Sequence, residues 1–142
     1  MPTRRASAVW EGGLQKGKGT VKTESGVVDG QYSFGSRFES GKGTNPEELL
    51  AAAEAGCFAM ALSAALERAG TPVKRLEASA ACTIDKVGDA FKITTMKLTV
   101  RATVPGATAD GFQKTAQATK DACPVSVALK GNVAIDLDAA LV

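Results

Sequence analysis

The longest apolar stretch of the chain is NPEELLAAAEAGCFAMALSAALERAG, residues 45–70. Its first residues are typical of a helix start, with Asn45 as the N-cap, a proline in the first turn and two glutamates at the positive end of the helix dipole. Glu48 lies three residues after the N-cap, where its carboxylate closes a capping box. The sequence predicts one long helix that runs to about Ala69 and ends at Gly70.

The chain on either side of this helix favours β-strands. Alternating or β-branched segments predict strands at 4–10, 20–24, 73–85, 91–104 and 133–137, and residues 32–39 are predicted to extend the first sheet. The apolar alternation of 91–104 changes phase, which predicts a β-bulge near Thr94 and Thr95. Two shorter helices are predicted at about 108–122 and after Pro124. This order predicts an α+β fold in a single domain over residues 1–142.

The composition excludes several kinds of chemistry. The 142 residues include 17 Lys and Arg, 15 Asp and Glu and no histidine, which gives a formal net charge of +2. Without imidazole there is no Ser-His-Asp or Cys-His triad and no His-ligated metal. The basic residues are scattered, so the patch expected of a nucleic-acid-binding protein is missing. Cysteine, carboxylate, Lys/Arg or backbone chemistry remains.

The sequence predicts a cytoplasmic protein without membrane contact. The N-terminal residues lack the apolar stretch of a signal peptide. Glu54 interrupts the apolar residues of 49–66, which argues against a membrane span. In the cytoplasm the three cysteines, Cys57, Cys82 and Cys123, are expected to be thiols at rest.

The cysteines allow different interpretations. Cys57 lies within the predicted long helix and fits a small core residue, because free cysteine is among the most buried residue types. Cys123 precedes Pro124 and so occupies the N-cap of the next helix, where backbone N–H groups and the helix dipole stabilise a thiolate. From the residues alone it is a candidate reactive thiol, and a thiol that merely fills the cap is the alternative. Cys82 fits a buried thiol of a strand. No two cysteines have C-x-x-C spacing, so neither a metal site nor a thioredoxin-type motif is predicted.

Three charged residues also allow two interpretations. Arg37 lies between two phenylalanines of a predicted strand, either as a functional cation or as the exposed charge of an edge strand. Glu47 precedes Cys57 by ten residues, and electrostatics at the helix start equally explain it. Glu54 is the i−3 neighbour of Cys57 on the same helix. A carboxylate stripe therefore flanks the thiol.

Two separate motifs resemble one known family. Residues 45–53 read NPEELLAAA and 55–62 read AGCFAMAL, while 122–126 read ACPVS. Together with WEG at 10–12, GKGTV at 17–21 and RFE at 37–39, they resemble the osmotically induced protein and organic hydroperoxide resistance (OsmC/Ohr) family, its OsmC branch in particular. The resemblance covers essentially the whole chain. It implies an intertwined homodimer with two long central helices wrapped by antiparallel β-sheets, with active sites at the subunit interface.

The resemblance also implies an activity. It implies a thiol-dependent peroxidase that reduces organic hydroperoxides and, less efficiently, hydrogen peroxide, without a metal, haem or flavin cofactor. Position by position it implies Cys57 as the peroxidatic cysteine, Cys123 as the resolving cysteine, Arg37 as the activating cation and Glu47 as the carboxylate that orients it. A Cys57 sulfenic acid and then a Cys57–Cys123 disulfide are expected, reset by an external dithiol of the lipoyl type.

The residues expected to line an apolar entrance for the substrate are Phe34, Phe38, Phe58 and Met60. Apolar lining favours alkyl hydroperoxides, because each buried methylene of a substrate contributes about 0.8 kcal/mol. Two other functions remain compatible with the residues. One is a thiol–disulfide oxidoreductase that uses Cys57 and Cys123, and the other is a non-enzymatic dimer that binds an apolar ligand between its helices.

One position departs from the family pattern. Members close to this sequence usually carry histidine where Glu54 stands. An ionised carboxylate one turn from Cys57 disfavours the thiolate that peroxidase chemistry needs. We therefore expect Glu54 to be neutralised, either by pointing away from the thiol or by pairing with a cation such as Arg37 or a basic residue of the other subunit.

Overall fold

The chain folds as two compact units. The computed structural model describes all residues from 1 to 142. The first unit is Met1–Leu49 and the second is Leu50–Val142. The single domain expected over 1–142 stays a prediction. Both units combine helix and sheet, as the α+β prediction requires.

The first unit contains a three-stranded antiparallel sheet. Its strands are β1 (Ala6–Glu11), β2 (Lys18–Thr23) and β3 (Asp29–Tyr32), in the spatial order β1-β2-β3. The register pairs Trp10 with Gly19 and Gly19 with Tyr32. The two aromatic rings lie 5.3 Å apart over this glycine, where a Cβ would come within 2.5 Å of the Tyr32 ring. The glycine thus allows the aromatic pair to cover the middle strand.

The segment after β3 is a helix, and its prediction as a strand is wrong. Helix α1 covers Phe34–Phe38, with Ser33 as its N-cap. The Ser33 hydroxyl accepts from the Ser36 backbone N–H at 3.1 Å, and the Ser36 hydroxyl accepts from the Ser33 N–H at 2.8 Å. This reciprocal capping favours a helical turn. A spacing of four also places Phe34 and Phe38 on one helix face, with ring centroids 5.0 Å apart.

The long helix α2 covers Pro46–Arg68, close to its predicted bounds. The side chain of Asn45 accepts from the Glu48 backbone N–H at 2.8 Å and caps the first turn. The Glu48 carboxylate accepts instead from the Thr44 hydroxyl, so the predicted capping box is only half formed. Gly70 has a φ of 81°, a left-handed conformation that ends the helix.

The second unit contains a mixed three-stranded sheet. Strands β4 (Arg75–Val87) and β5 (Ala90–Thr103) form an antiparallel hairpin, and β6 (Ala134–Leu141) pairs with β5 in parallel. Thr83 pairs with Thr95 and Ile84 with Ile93, so Thr94 is the extra residue of a bulge. The bulge predicted at this position is confirmed. The parallel pairing makes this sheet mixed rather than purely antiparallel.

Two helices connect β5 to β6. Helix α3 covers Ala109–Ala122, and the short helix α4 covers Pro124–Leu129. Parallel neighbouring strands require such a crossover, because a tight turn cannot join them. Cys123 lies at the junction, as C-cap of α3 and N-cap of α4. The crossover therefore determines where this cysteine lies.

The core of the second unit is formed by one stripe of α2 against β5 and α3. Phe58, Leu62 and Leu66 recur every four residues and are at most 1% exposed. Full burial of such a side chain contributes about 1.5–3 kcal/mol each. Residues of the other elements complete the cluster: Leu98, Val100, Ala102, Val104, Phe112, Ala116, Cys123 and Ala139. The same spacing extends back to Glu54, which is also fully buried.

Another face of α2 is apolar but uncovered. An 18-residue window of this helix has a mean hydropathy of 1.8, yet only 22% of the window is buried. Ala53 and Gly56 are exposed, and Met60 is 78% exposed. By length and composition alone the helix is long enough to cross a membrane. Its exposed face is a surface that water does not favour.

Candidate active site

Two cysteines of the second unit are in direct contact. The Cys123 thiol donates a hydrogen bond to Cys57 Sγ at 2.9 Å, across 66 positions of sequence. A disulfide is about 2.05 Å long, and both cysteines are free thiols here. Cys57 is half-buried, whereas Cys123 is 1% exposed. The arrangement is that of a reduced dithiol ready to form a bond between α2 and the start of α4.

The junction of α3 and α4 explains how Cys123 reaches Cys57. The Cys123 backbone N–H donates to the Thr119 carbonyl at 2.8 Å and closes the end of α3. Pro124 then occupies the first turn of α4, and the Cys123 side chain makes no capping hydrogen bond to that helix. The Cys123 thiol is therefore free to bond Cys57 on α2 instead of capping α4.

The surroundings of Cys57 favour the protonated thiol. Burial raises the pKa of Cys57 most, and the hydrogen bond from Cys123 raises it further. The charges of Cys123 and Glu54 also raise this pKa, while the backbone N–H of Val125 lowers it by bonding the thiolate. None of these groups is a cation. A thiolate at Cys57 therefore needs positive charge from elsewhere.

Glu54 takes part in a buried hydrogen bond one turn from the thiols. The Ser126 hydroxyl donates to Glu54 Oε1, and Oε2 has no hydrogen-bond partner. Glu54 is 0% and Ser126 is 3% exposed. Glu54 does not point away from the thiol, because its charge raises the Cys57 pKa, and it forms no ion pair with Arg37 or another residue of its own chain. The reason is its place in the core stripe, which keeps the carboxyl inside and next to α4. Pairing with a basic residue of the other subunit stays a prediction.

A fixed cation lies in the first unit. Arg37 Nη2 lies 2.8 Å from Glu47 Oε1, and Nε lies 3.2 and 3.3 Å from the two carboxylate oxygens. Glu47 is 5% exposed, and the guanidinium also lies 5.2 Å from the Phe38 ring centroid. The pairing that the resemblance implied is therefore present. The catalytic roles of both residues stay predictions.

Polar contacts hold α1 against the start of α2. The Ser36 hydroxyl donates to the Thr44 carbonyl at 2.8 Å, and Asn45 Nδ2 donates to the Ser36 carbonyl at 3.0 Å. Because Arg37 follows Ser36 and Glu47 follows Asn45 closely, these bonds fix both ends of the ion pair. The guanidinium is consequently preorganised rather than free.

The predicted apolar entrance is only partly assembled. The rings of Phe34 and Phe38 lie together on α1, whereas Phe58 belongs to the core of the second unit with 0% exposure. Met60 lies on the exposed face of α2. An open groove of about 650 Å³ runs between α2 and α3 and is lined largely by alanines, with Arg68 and Lys114 among its other residues and Cys123 at its wall.

Cys82 lies on a strand, outside the two helices that carry the thiol pair. It is half-buried in β4, opposite Met96 in the register. No group of three or more Cys, Asp or Glu side chains is arranged to hold a metal ion.

Sequence reasoning missed Ser126. The feature of the sequence that could have identified it is its spacing of three residues from Cys123, which puts both side chains on the same face of the first turn of α4. The burial of Glu54 also had a signal, the four-residue spacing from Phe58 through Leu62 to Leu66. Neither signal identifies the partner, because the two residues are 72 positions apart.

Comparisons with known proteins identify the family. The family described as OsmC-like protein matches residues 39–138. Peroxiredoxin OsmC of Escherichia coli (strain K12) is 46% identical over 134 residues, which cover 94% of each chain. A solved organic hydroperoxide resistance protein of Elizabethkingia anophelis has 26% identity and a TM-score of 0.79, over 100% of this chain and 98% of that one. The chain belongs to the OsmC-like protein family.

A second solved structure has a similar fold. The organic hydroperoxide resistance protein OhrB of Bacillus subtilis has 26% identity and a TM-score of 0.71, over 96% of this chain and 98% of that one. The family resemblance seen in the sequence, OsmC branch included, is thus confirmed, and so is the α+β fold class.

Mild oxidation should join Cys57 to Cys123 and leave Cys82 as a thiol. The reduced protein is treated with diamide, and the disulfides are assigned by peptide mass spectrometry. The 2.9 Å contact needs little movement to become a bond. Cys82→Ser is the control and should give the same product. A dominant linkage to Cys82 contradicts the prediction.

Proposed function

We propose that this protein is a thiol-dependent peroxidase that reduces organic hydroperoxides to alcohols. The observation that carries the proposal is the contact between the Cys57 and Cys123 thiols. Membership of the family supports it, as do relatives named Peroxiredoxin OsmC and organic hydroperoxide resistance protein. A dithiol within bonding reach supplies both electrons that cleavage of one O–O bond consumes.

The reaction follows from the order of the two thiols. The Cys57 thiolate attacks the outer oxygen of the hydroperoxide, the O–O bond breaks, and the alkoxide takes a proton to leave as an alcohol. Cys57 becomes a sulfenic acid. Cys123 then attacks the Cys57 sulfur, and the sulfenic oxygen leaves as water while the disulfide forms. An external dithiol, which we propose to be of the lipoyl type, restores both thiols and is itself oxidised.

Arg37 is the proposed source of the positive charge that Cys57 lacks. A guanidinium near the sulfur stabilises the thiolate and donates to the departing alkoxide. Glu47 holds the planar guanidinium by two hydrogen bonds, so the side chain of Arg37 loses little conformational entropy during the reaction. In this role Glu47 is a positioning residue.

The position of Glu47 favours a site built from two subunits. Glu47 precedes Cys57 by ten residues on α2, about 15 Å of helix rise. The carboxylate that holds Arg37 is therefore carried about three helix turns before the residue that carries the thiol. We propose that Arg37 of the partner subunit acts on Cys57 in a homodimer. This arrangement also explains why no cation is among the groups that shift the Cys57 pKa.

The uncovered face of α2 supports the same dimer. The face carrying Ala53, Gly56 and Met60 is apolar, and small side chains allow two helices to approach closely. A second copy of α2 is the proposed cover, which makes a membrane unnecessary to account for its hydropathy. The proposed location is the cytoplasm, where a dithiol reductant is available.

The proposed substrate selectivity has an apolar basis. Phe34, Phe38 and Met60 are not in the core of the second unit and remain the proposed lining of the entrance. Phe58 is enclosed in that core, so its contribution is to support the helix that carries Cys57.

Peroxide consumption tests the activity directly. The protein with dithiothreitol should consume cumene hydroperoxide with a higher catalytic efficiency than hydrogen peroxide. Cys57→Ser should abolish the reaction, and Cys82→Ser should retain it. If the protein instead reduces small disulfides and leaves both peroxides untouched, it is a thiol–disulfide oxidoreductase. No turnover of either substrate class contradicts the proposal as a whole.

Arg37→Met should lower kcat/KM for cumene hydroperoxide by about 10²–10³, because one preorganised donor and its charge are lost. Arg101→Met is the matched control, since Arg101 forms a comparable pair with Asp138 and has 38% side-chain exposure against 36% for Arg37. The control should keep nearly full activity. Equal losses in both variants, with equal melting temperatures, would assign the effect to general surface charge.

Subunit complementation tests the two-chain site. Arg37→Met and Cys57→Ser chains are each inactive or nearly so, and are unfolded and refolded together in equal amounts. Half of the dimers then carry one complete site, which restores roughly a quarter of wild-type activity if Arg37 of one chain serves Cys57 of the other. A mixture no more active than its parents shows that the two residues act within one chain. Sedimentation of a folded monomer at micromolar concentration removes the dimer altogether.

A further inference from the structure

We propose that the buried Glu54–Ser126 pair positions Cys123 for disulfide formation and thereby protects Cys57 from over-oxidation. This inference rests on the proposed peroxidase function. Both residues are positioning residues, since neither touches the reacting sulfur or oxygen atoms in the mechanism above.

The pair and the thiols form two bridges between the same two helices. Glu54 precedes Cys57 by three residues on α2, and Ser126 follows Cys123 by three residues at the start of α4. Glu54 bonds Ser126, and Cys57 bonds Cys123. A single contact lets α4 rotate about the sulfur atoms, whereas two contacts one turn apart fix its direction. The serine bond is thus the restraint on the approach of Cys123.

Helix α4 needs such a restraint because it is short. It has six residues, its N-cap side chain makes no capping hydrogen bond, and Val127 in its middle is 51% exposed. Isolated helices of this length are unstable in water. Ser126 is its buried residue, so the bond to Glu54 joins the helix to a fully buried position of α2.

The Glu54 carboxyl orients α4 and does not stabilise the fold. Glu54 occupies the first position of the stripe that continues with Phe58, Leu62 and Leu66, where apolar side chains supply the packing energy. Its Oε2 is buried without a partner, which costs desolvation that one hydrogen bond at Oε1 does not offset. An apolar residue at this position would pack more favourably. An apolar residue would not, however, accept the hydrogen bond from Ser126.

The step that depends on this restraint is the attack on the sulfenic acid. Cys57 carries an additional oxygen at that stage, and Cys123 must reach the sulfur before a second hydroperoxide does. A second hydroperoxide converts the sulfenic acid to sulfinic acid and releases another alcohol, and that oxidation is not reversed by a dithiol. A freely moving α4 therefore slows the disulfide step and increases the sulfinic acid product.

Single-turnover experiments separate the two steps. Reduced wild type, Ser126→Ala, Glu54→Ala and Glu54→Gln are mixed with one equivalent of cumene hydroperoxide and quenched at intervals. The sulfenic acid is trapped with dimedone, and the disulfide and sulfinic acid are counted by mass spectrometry. Thr119→Val is the matched control, because it removes a buried hydroxyl whose bond to Thr115 stays within α3.

Ser126→Ala and Glu54→Ala should form the disulfide about five- to tenfold more slowly, while Ser126→Ala forms sulfenic acid at the wild-type rate. Sulfinic acid should accumulate in both when hydroperoxide is in excess. Glu54→Gln should retain the disulfide rate, because its amide oxygen accepts from Ser126. Thr119→Val should match wild type. A wild-type disulfide rate in Ser126→Ala, or equal slowing of both steps in it, overturns the proposal.

Two further measurements keep the outcomes distinct. Melting temperatures identify a variant that is merely unfolded, and Glu54→Leu is then used as a second variant that packs the stripe but lacks the acceptor. Diamide oxidation repeats the comparison without a peroxide. If wild type does not react with cumene hydroperoxide but Ser126→Ala is slow with diamide, the peroxidase function fails and the positioning role stands. Equal diamide rates in all variants remove the positioning role.

Discussion

The contact between Cys57 on α2 and Cys123 at the start of α4 is the constraint on which the rest of the second unit depends. Two thiols 66 positions apart do not meet through local structure, and here the crossover formed by α3 and α4 brings them together. The core stripe of α2 places one sulfur at the edge of the packed interior. The junction of α3 and α4 places the other, because Pro124 begins a new helix directly after it.

The charges of the proposed site are divided along the chain. The first unit carries the Arg37–Glu47 pair, whose geometry depends on a serine-capped turn and on the start of α2. The second unit carries both thiols and a buried carboxyl, and its own groups raise the Cys57 pKa. The groups of a single chain thus favour the protonated thiol. In the homodimer that we propose, Arg37 of the partner subunit would supply the missing positive charge.

Most of the secondary structure could be predicted because its causes are local. The start of α2 follows from Asn45 and its end from Gly70, and the phase change of β5 located the bulge at Thr94. Helix α1 could not be predicted from alternation, since its cause is the reciprocal bonding of Ser33 and Ser36. Cys57 and Cys123 stood out by motif, and their contact matches the pairing that the resemblance implied.

The Glu54–Ser126 pair lay beyond sequence reasoning for a different reason. Helical spacing shows that Glu54 shares a stripe with core residues. A buried carboxylate oxygen, however, can accept a hydrogen bond from any of several donors. Its choice of partner depends on where a distant six-residue helix comes to lie. Only the folded chain contains that information.

The parallel pairing of β6 with β5 has a consequence for how the protein works through its cycle. Helices α3 and α4 lie between β5 and β6, two neighbouring strands of one sheet, so the sheet holds both ends of the segment that contains Cys123. We therefore expect a disulfide at Cys123 to change the chain locally and to leave the pairing of these strands intact.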